Sequence, residues 1–215
     1  MSQPRWAVVV PVKQLAVAKS RLRGALPGVP HEELALALAA DTFRAVLACP
    51  AVAEALVVTD DARVAAAARA AGARVLPDEP NAGLNAAFRH GAAGAGAGWV
   101  AGITADVPAL RPTELTEALL AAQHGRPSVR RFLPDAPGAG TVLLTTPPGV
   151  PLDPRFGVGS ALAHAASGAL PLDGDWPSLR RDVDTAADLA TAVRLGLGPR
   201  TAALVAAARP ARATG

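Results

Sequence analysis

Lys13, Lys19 and Arg21 fall in one short segment, directly after the apolar run from Trp6 to Val12. The chain holds 21 Lys and Arg together, yet only two of them are lysine, Lys13 and Lys19. An ammonium is a compact point charge, whereas a guanidinium is a planar fork. Two ammoniums and Arg21 in one loop suit the neutralisation of a triphosphate; the bland alternative is a solvated basic loop. Carboxylates recur at comparable places. Asp60 and Asp61 follow one apolar run, and Asp106 follows another just before Pro108. Asp182 and Asp184 stand at i and i+2, which on an extended segment share a face and suit Mg²⁺. Capping competes with that reading: Asp184 can cap the next helix, and Thr185 and Asp188 can serve its first turn. Further on, Gly157, Gly159 and Ser160 open a helix, where free N–H groups bind phosphate or carboxylate. Thr141, on a nearby strand, offers a hydroxyl.

The chemistry missing from the chain narrows the reading. No GxxxxGK[ST] or GxGxxG loop follows the first apolar run, so a phosphate cradle has to be built from side chains. There is no GxSxG nucleophile elbow. His31, His90 and His124 are scattered without metal-ligand spacing, and His164, one turn inside its helix, reads as structural. The single cysteine, Cys49, permits neither an internal disulfide nor a cysteine-based zinc site, and reads as packing.

These residues need a scaffold, and the apolar runs supply one. Trp6–Val12, Ala55–Thr59, Ala73–Leu76 and Trp99–Thr104 read as buried strands. Between them lie helices over about His31–Leu47, stopped by Pro50, and Ala62–Ala71, capped by Asp61 and ended by Gly72. Another opens at Asn81–Asn85 and runs to about Ala93; Pro112 starts the next. The alternation β-α-β-α-β-α-β-α predicts a parallel sheet with helices on both faces. In such a sheet ligands sit outside the carboxyl ends of the strands. Lys13, Lys19 and Arg21, the pair Asp60–Asp61, and Asp106 all fall there. Cations beside carboxylates at one edge fit a phosphorylated ligand with a divalent metal. The second half is less regular. Strands are expected over Val129–Leu133 and Gly140–Thr145, and helices from Phe156–Ser160 to about Ser167, over Ala186–Leu195 and over Arg200–Ala208.

Length and composition agree with one domain, residues 1–209, followed by a frayed tail, 210–215. Of the 215 residues 51% are hydrophobic and 18% charged, enough for a core and too apolar for disorder. The net charge of +3 is too small for a nucleic-acid surface. The expectation is therefore a cytoplasmic protein with no signal peptide, no membrane segment and no nucleic-acid partner. Alanine is about a quarter of the chain, which favours helix and carries the bias of a high-GC genome.

Taken in order along the chain, these residues resemble a known family. The string Val10-Pro11-Val12-Lys13 to Ala18-Lys19-Ser20-Arg21-Leu22 looks like the opening of the phosphoenolpyruvate and 2-phospho-L-lactate guanylyltransferases of coenzyme F-420 biosynthesis. Val57–Asp60, Asn81–Asn85, Ala105–Leu110, Gly138–Thr141, Phe156–Ser160 and Asp182–Thr185 continue the match over nearly the whole chain. The resemblance implies a Rossmann-like nucleotidyltransferase fold of the GT-A type, with a mostly parallel central sheet flanked by helices. It implies transfer of GMP from GTP to a three-carbon phospho-acid, with release of pyrophosphate. Its implied sites are Asp106, Asp182 and Asp184 for Mg²⁺, and Thr141, Gly157 and Ser160 for the phospho-acid. Lys13, Lys19 and Arg21 are implied at the triphosphate, Asn85 at the base pocket, and Lys19 and Asp106 in catalysis. Phosphoenolpyruvate, 2-phospho-L-lactate and 3-phosphoglycerate stay open as acceptors; the high-GC composition tilts towards the first. The next transferase of the pathway is a candidate partner. The other readings are a related molybdopterin-type transferase, whose glycine-rich first loop this chain lacks, and a non-catalytic nucleotide-binding regulatory domain.

Overall fold

A computed structural model describes residues 5–16, 20–79, 81–96, 98–124 and 128–208. The chain begins with β1 (Trp6–Pro11), whose six residues are all buried, then passes a short 3-10 turn at Ser20–Leu22. Next come α1 (His31–Leu47), β2 (Val52–Val58), α2 (Ala62–Ala71), β3 (Arg74–Leu76), α3 (Leu84–Gly94), β4 (Trp99–Ile103) and α4 (Pro112–Gln123). The second half runs β5 (Arg131–Pro134), β6 (Thr141–Thr146), α5 (Ser160–Ala166), β7 (Leu170–Pro171), α6 (Pro177–Arg180), α7 (Ala186–Leu195) and α8 (Pro199–Ala207).

The seven strands form one sheet in the order β3-β2-β1-β4-β6-β5-β7. The ladders β1–β2, β1–β4, β2–β3 and β5–β7 are parallel; β4–β6 and β5–β6 are antiparallel. The sheet is thus mixed and mostly parallel. The antiparallel part comes from the hairpin of β5 and β6, which inserts β6 beside β4. From β1 the chain winds outward to β3 on one side, then returns to place β4 on the other. That reversal is a topological switch point, and it opens a crevice beyond the ends of β1 and β4.

Successive side chains of a strand point to opposite faces, and β1 shows the result. Val8 and Val10 pack with Phe43 of α1, Val64 of α2 and Leu115 of α4. Ala7 and Val9 pack on the other face with Phe88 of α3 and with Phe156. Burying a side chain of this kind stabilises by about 1.5–3 kcal/mol. Gly91 of α3 sits so close to β1 that a Cβ there would collide with Val9. A third cluster lies outside the sheet, where Leu34 and Leu38 of α1 meet Val183 and Leu189. Asp41 of α1 is buried, and its carboxylate accepts the N–H groups of Arg200 (3.0 Å) and Thr201 (2.7 Å) at the start of α8.

Several boundaries differ from expectation. β2 starts at Val52, because the Trp6 N–H bonds to Ala51 O and carries the pairing further back. α3 starts at Leu84, after Gly83 at φ 90°. α5 starts at Ser160, since Gly157 and Gly159 both have positive φ and precede the helix. Asp182–Asp184 is irregular backbone, and the cap of α7 is Thr185, in a reciprocal capping box with Asp188. The tail 210–215 and Lys19 lie outside the described residues.

Candidate active site

A cleft of about 380 Å³ opens at the switch point. Lys13 and Arg21 line it from the loop after β1, Thr104 and Asp106 from the end of β4, and Asp184 from the segment before α7. Leu38 of α1 and Leu84 of α3 are among its apolar walls. So two of the three expected cations, Lys13 and Arg21, and two of the three expected metal carboxylates face one space. Asp182 is half-buried and is not among the lining residues. Among the described residues, no three His, Cys, Asp or Glu side chains converge as a metal-holding group. Mg²⁺ does not require three, because it binds through one or two carboxylates plus substrate phosphates and water. The pair Asp106 and Asp184, both hard oxygen donors, fits that ion.

Asp106 is held in place from outside the cleft. The Thr42 hydroxyl, fully buried on α1, lies 3.1 Å from the Ala105 carbonyl and accepts the Val107 N–H at 3.2 Å. The Val183 N–H donates to the Asp106 carbonyl at 2.9 Å, which brings Asp184 to the same edge. Upstream of that segment, Glu114 of α4 accepts the N–H groups of Ser178 and Leu179. The loop after β1 is tied down by Asp61. One carboxylate oxygen accepts the Leu15 N–H at 3.0 Å, and the other caps α2 through Arg63 and Val64. Partial burial works to raise the Asp61 pKa. The N–H groups of Leu15, Val64 and Arg63, with the Arg63 charge, outweigh it and hold the carboxyl below its usual range.

A second recess of about 300 Å³ adjoins the cleft, sharing Val12 and Lys13 with it. Its remaining lining is Gln14, Asp60, Asp78, Asn81 and Gly83. Asn85 lines neither space. Its amide is engaged with the Phe156 backbone: Nδ2 donates to the carbonyl at 2.9 Å, and Oδ1 accepts the N–H at 2.8 Å. The expected base-pocket residue is therefore a clamp between the start of α3 and the loop before α5.

Thr141 and Ser160 are buried, and Gly157 is exposed at φ 141°. The Ala161 N–H donates to the Ala139 carbonyl at 3.1 Å, joining α5 to the turn before β6. His164, with no exposure, lies 2.9 Å from Thr141 Oγ1 through Nδ1. Burial foremost, with the Arg130 and Arg155 charges, lowers its pKa to about 4 against the opposing Ser160 backbone hydrogen bond and Asp153 charge. It is neutral near pH 7. Thr42 and Asp78 were not singled out in the sequence, their only signal being polarity inside or beside apolar runs; His164 was read there as structural.

The model of the MobA-like NTP transferase domain matches residues 20–132. A nucleotidyl transferase from a Methanothermobacter species shares the fold, with a TM-score of 0.59 at 19% identity, covering 90% of this chain and 98% of that one. The domain match, on this fold, places the chain among the nucleotidyltransferases. The chain is 73% identical over 205 residues to a phosphoenolpyruvate guanylyltransferase of Salinispora arenicola, 95% of each chain being covered. It is 53% identical over 207 residues to one of Streptomyces coelicolor, covering 94% of this chain and 96% of that one. The chain belongs to the phosphoenolpyruvate guanylyltransferase family.

Proposed function

We propose that this protein transfers GMP from GTP to phosphoenolpyruvate and releases pyrophosphate. The observation that carries this reading is one cleft, at the switch point of a nucleotidyltransferase sheet, in which Lys13 and Arg21 face Asp106 and Asp184. The acceptor's phosphate oxygen attacks the α-phosphorus of GTP. A new P–O bond forms to the α-phosphorus as its bond to the α,β-bridging oxygen breaks, and the β- and γ-phosphates depart together as pyrophosphate. The attacking phosphate is already anionic, so no general base is needed; positioning and charge neutralisation carry the catalysis.

Lys13 and Arg21, with Lys19, bind the triphosphate and offset the charge gathering on the leaving group. Asp106 and Asp184, with Asp182 beside them, would hold Mg²⁺. When bound, that ion supplies positive charge to the phosphate oxygens. Thr141, Gly157 and Ser160 bind the phospho-acid. The reaction belongs to the cytoplasm, as a step in coenzyme F-420 biosynthesis, and its product passes to the next transferase. Among the described residues, no helix is long and apolar enough to cross a membrane.

The test is pyrophosphate release from purified protein with Mg²⁺ and GTP. Phosphoenolpyruvate, 2-phospho-L-lactate and 3-phosphoglycerate are supplied separately, with the downstream transferase present to draw off product. Release with phosphoenolpyruvate alone is expected. Release with another acid reassigns the acceptor, and silence with all three removes the reading.

A further inference from the structure

The geometry points to Asp78 as the residue that selects guanine. This rests on the proposed use of GTP and adds the group that distinguishes its base. A nucleotide has two chemically different ends, and the two adjoining spaces differ in the same way. The larger cleft carries Lys13, Arg21 and the carboxylate pair suited to a metal, and so takes the triphosphate. The smaller recess carries Asp60 and Asp78 against Lys13 alone. Two carboxylates would repel phosphate, but they accept N–H groups. The recess is contiguous with the cleft through Val12 and Lys13, so one molecule can occupy both.

Within the recess the two acids do different work. Asp60 Oδ1 accepts the Asp78 backbone N–H at 2.9 Å, which fixes where Asp78 stands. Asp60 is a positioning residue. Among the described residues, Asp78 Oδ1 is shut off from water and has no hydrogen-bond partner. An oxygen so enclosed costs free energy until the half-buried carboxylate turns it towards a donor in the recess that Asp78 lines. Guanine presents two donors side by side, N1–H and the 2-amino group. Adenine presents an acceptor at N1, which a carboxylate repels. A site built to bond a donor rejects an analogue lacking it more strongly than an apolar pocket can.

The experiment measures Kd for GTP, ITP and XTP by calorimetry on the full chain and on Asp78→Asn, with pyrophosphate release as a second readout. ITP lacks the 2-amino group; XTP carries a carbonyl there. A carboxamide accepts N1–H through its oxygen and donates to that carbonyl through its nitrogen. The wild type should bind GTP about 100-fold more tightly than ITP or XTP. Asp78→Asn should lose about 100-fold for GTP and prefer XTP. A folding defect cannot produce that gain. A variant that still prefers GTP, or that weakens equally for all three, overturns the assignment. Should Asp78→Asn not fold, the wild-type comparison decides: equal affinity for GTP and ITP overturns it. A wild type with the expected base preference but no turnover with any acceptor sinks the proposed function and leaves the guanine assignment standing.

Discussion

Thr141 Oγ1 and His164 Nδ1 are 2.9 Å apart, and the Arg155 backbone N–H donates to His164 Nε2 at 2.9 Å. The second bond decides the direction of the first. Nε2 accepts, so in the neutral ring the proton is on Nδ1 and is donated towards Thr141 Oγ1. The hydroxyl hydrogen of Thr141 is thereby turned away from the imidazole and left for another acceptor. A phospho-acid bound against β6 would receive it. We expect His164→Ala to raise the KM for phosphoenolpyruvate about tenfold, the worth of one hydrogen bond, with the KM for GTP within about twofold. Steady-state kinetics with each substrate varied separately check this. An equal rise for both substrates would mean the histidine only supports the fold.

The same histidine makes stability depend on pH. Its folded pKa of about 4 lies below the unfolded value of 6.5. Between these limits the unfolded chain binds the extra proton, so stability is full above about pH 6.5 and falls as pH drops towards 4. Of the groups facing the ring, Asp153 stays ionised through most of that window: burial works to raise its pKa, but the hydrogen bonds and charges of Arg130 and Arg155 outweigh it and hold the carboxyl below its usual value. Denaturant unfolding at pH 7 and pH 4.5 should differ by about 2 kcal/mol more in the wild type than in His164→Gln. Identical pH slopes would contradict the buried neutral ring.

Asp106 carries a different expectation. Its backbone is fixed by Thr42 and Val183, so replacing the carboxylate with an amide leaves the loop in place. Asp106→Asn should lower kcat at least about 100-fold while leaving the unfolding midpoint nearly unchanged. Pyrophosphate release and thermal melting, run on the same preparation, measure the two effects. A near-normal rate removes Asp106 from the metal site.

Asn85 separates two roles that the sequence could not. A base-pocket residue would affect the KM for GTP. A clamp on Phe156, whose ring stacks on Phe88 at 4.2 Å, would disturb the loop that leads to Gly157 and Ser160. Asn85→Ala should therefore lower stability by about 1–3 kcal/mol and weaken phosphoenolpyruvate more than GTP. Chemical unfolding and paired KM measurements distinguish them; a change confined to GTP restores the base-pocket role.

Much of the scaffold was determined locally. Short, β-branched apolar runs bounded by turn residues read as strands buried on both faces, as at β1, where all six residues are buried. Asp61, Gly72 and Pro112 mark helix ends because caps depend on one or two residues of backbone. Strand ends in a parallel sheet then place Lys13, Arg21 and Asp106 at one edge before any contact is known.

What only the tertiary structure decided are relationships between residues far apart in the chain. Periodicity cannot tell a parallel strand from an antiparallel one, so the reversed β6 beside β4 was not legible. Nor could it show that Thr42 steadies Asp106, that Asn85 is engaged with Phe156, or that His164 orients Thr141. The spacing of Asp182 and Asp184 suggested two carboxylates on one face. The fold buries Val183 between them and brings Asp184, but not Asp182, into the lining of the cleft. Local propensity sets which residues become helix or strand. A hydrogen bond across 60 or more residues, as from the Val107 N–H to the Thr42 hydroxyl, exists only once the whole chain has packed.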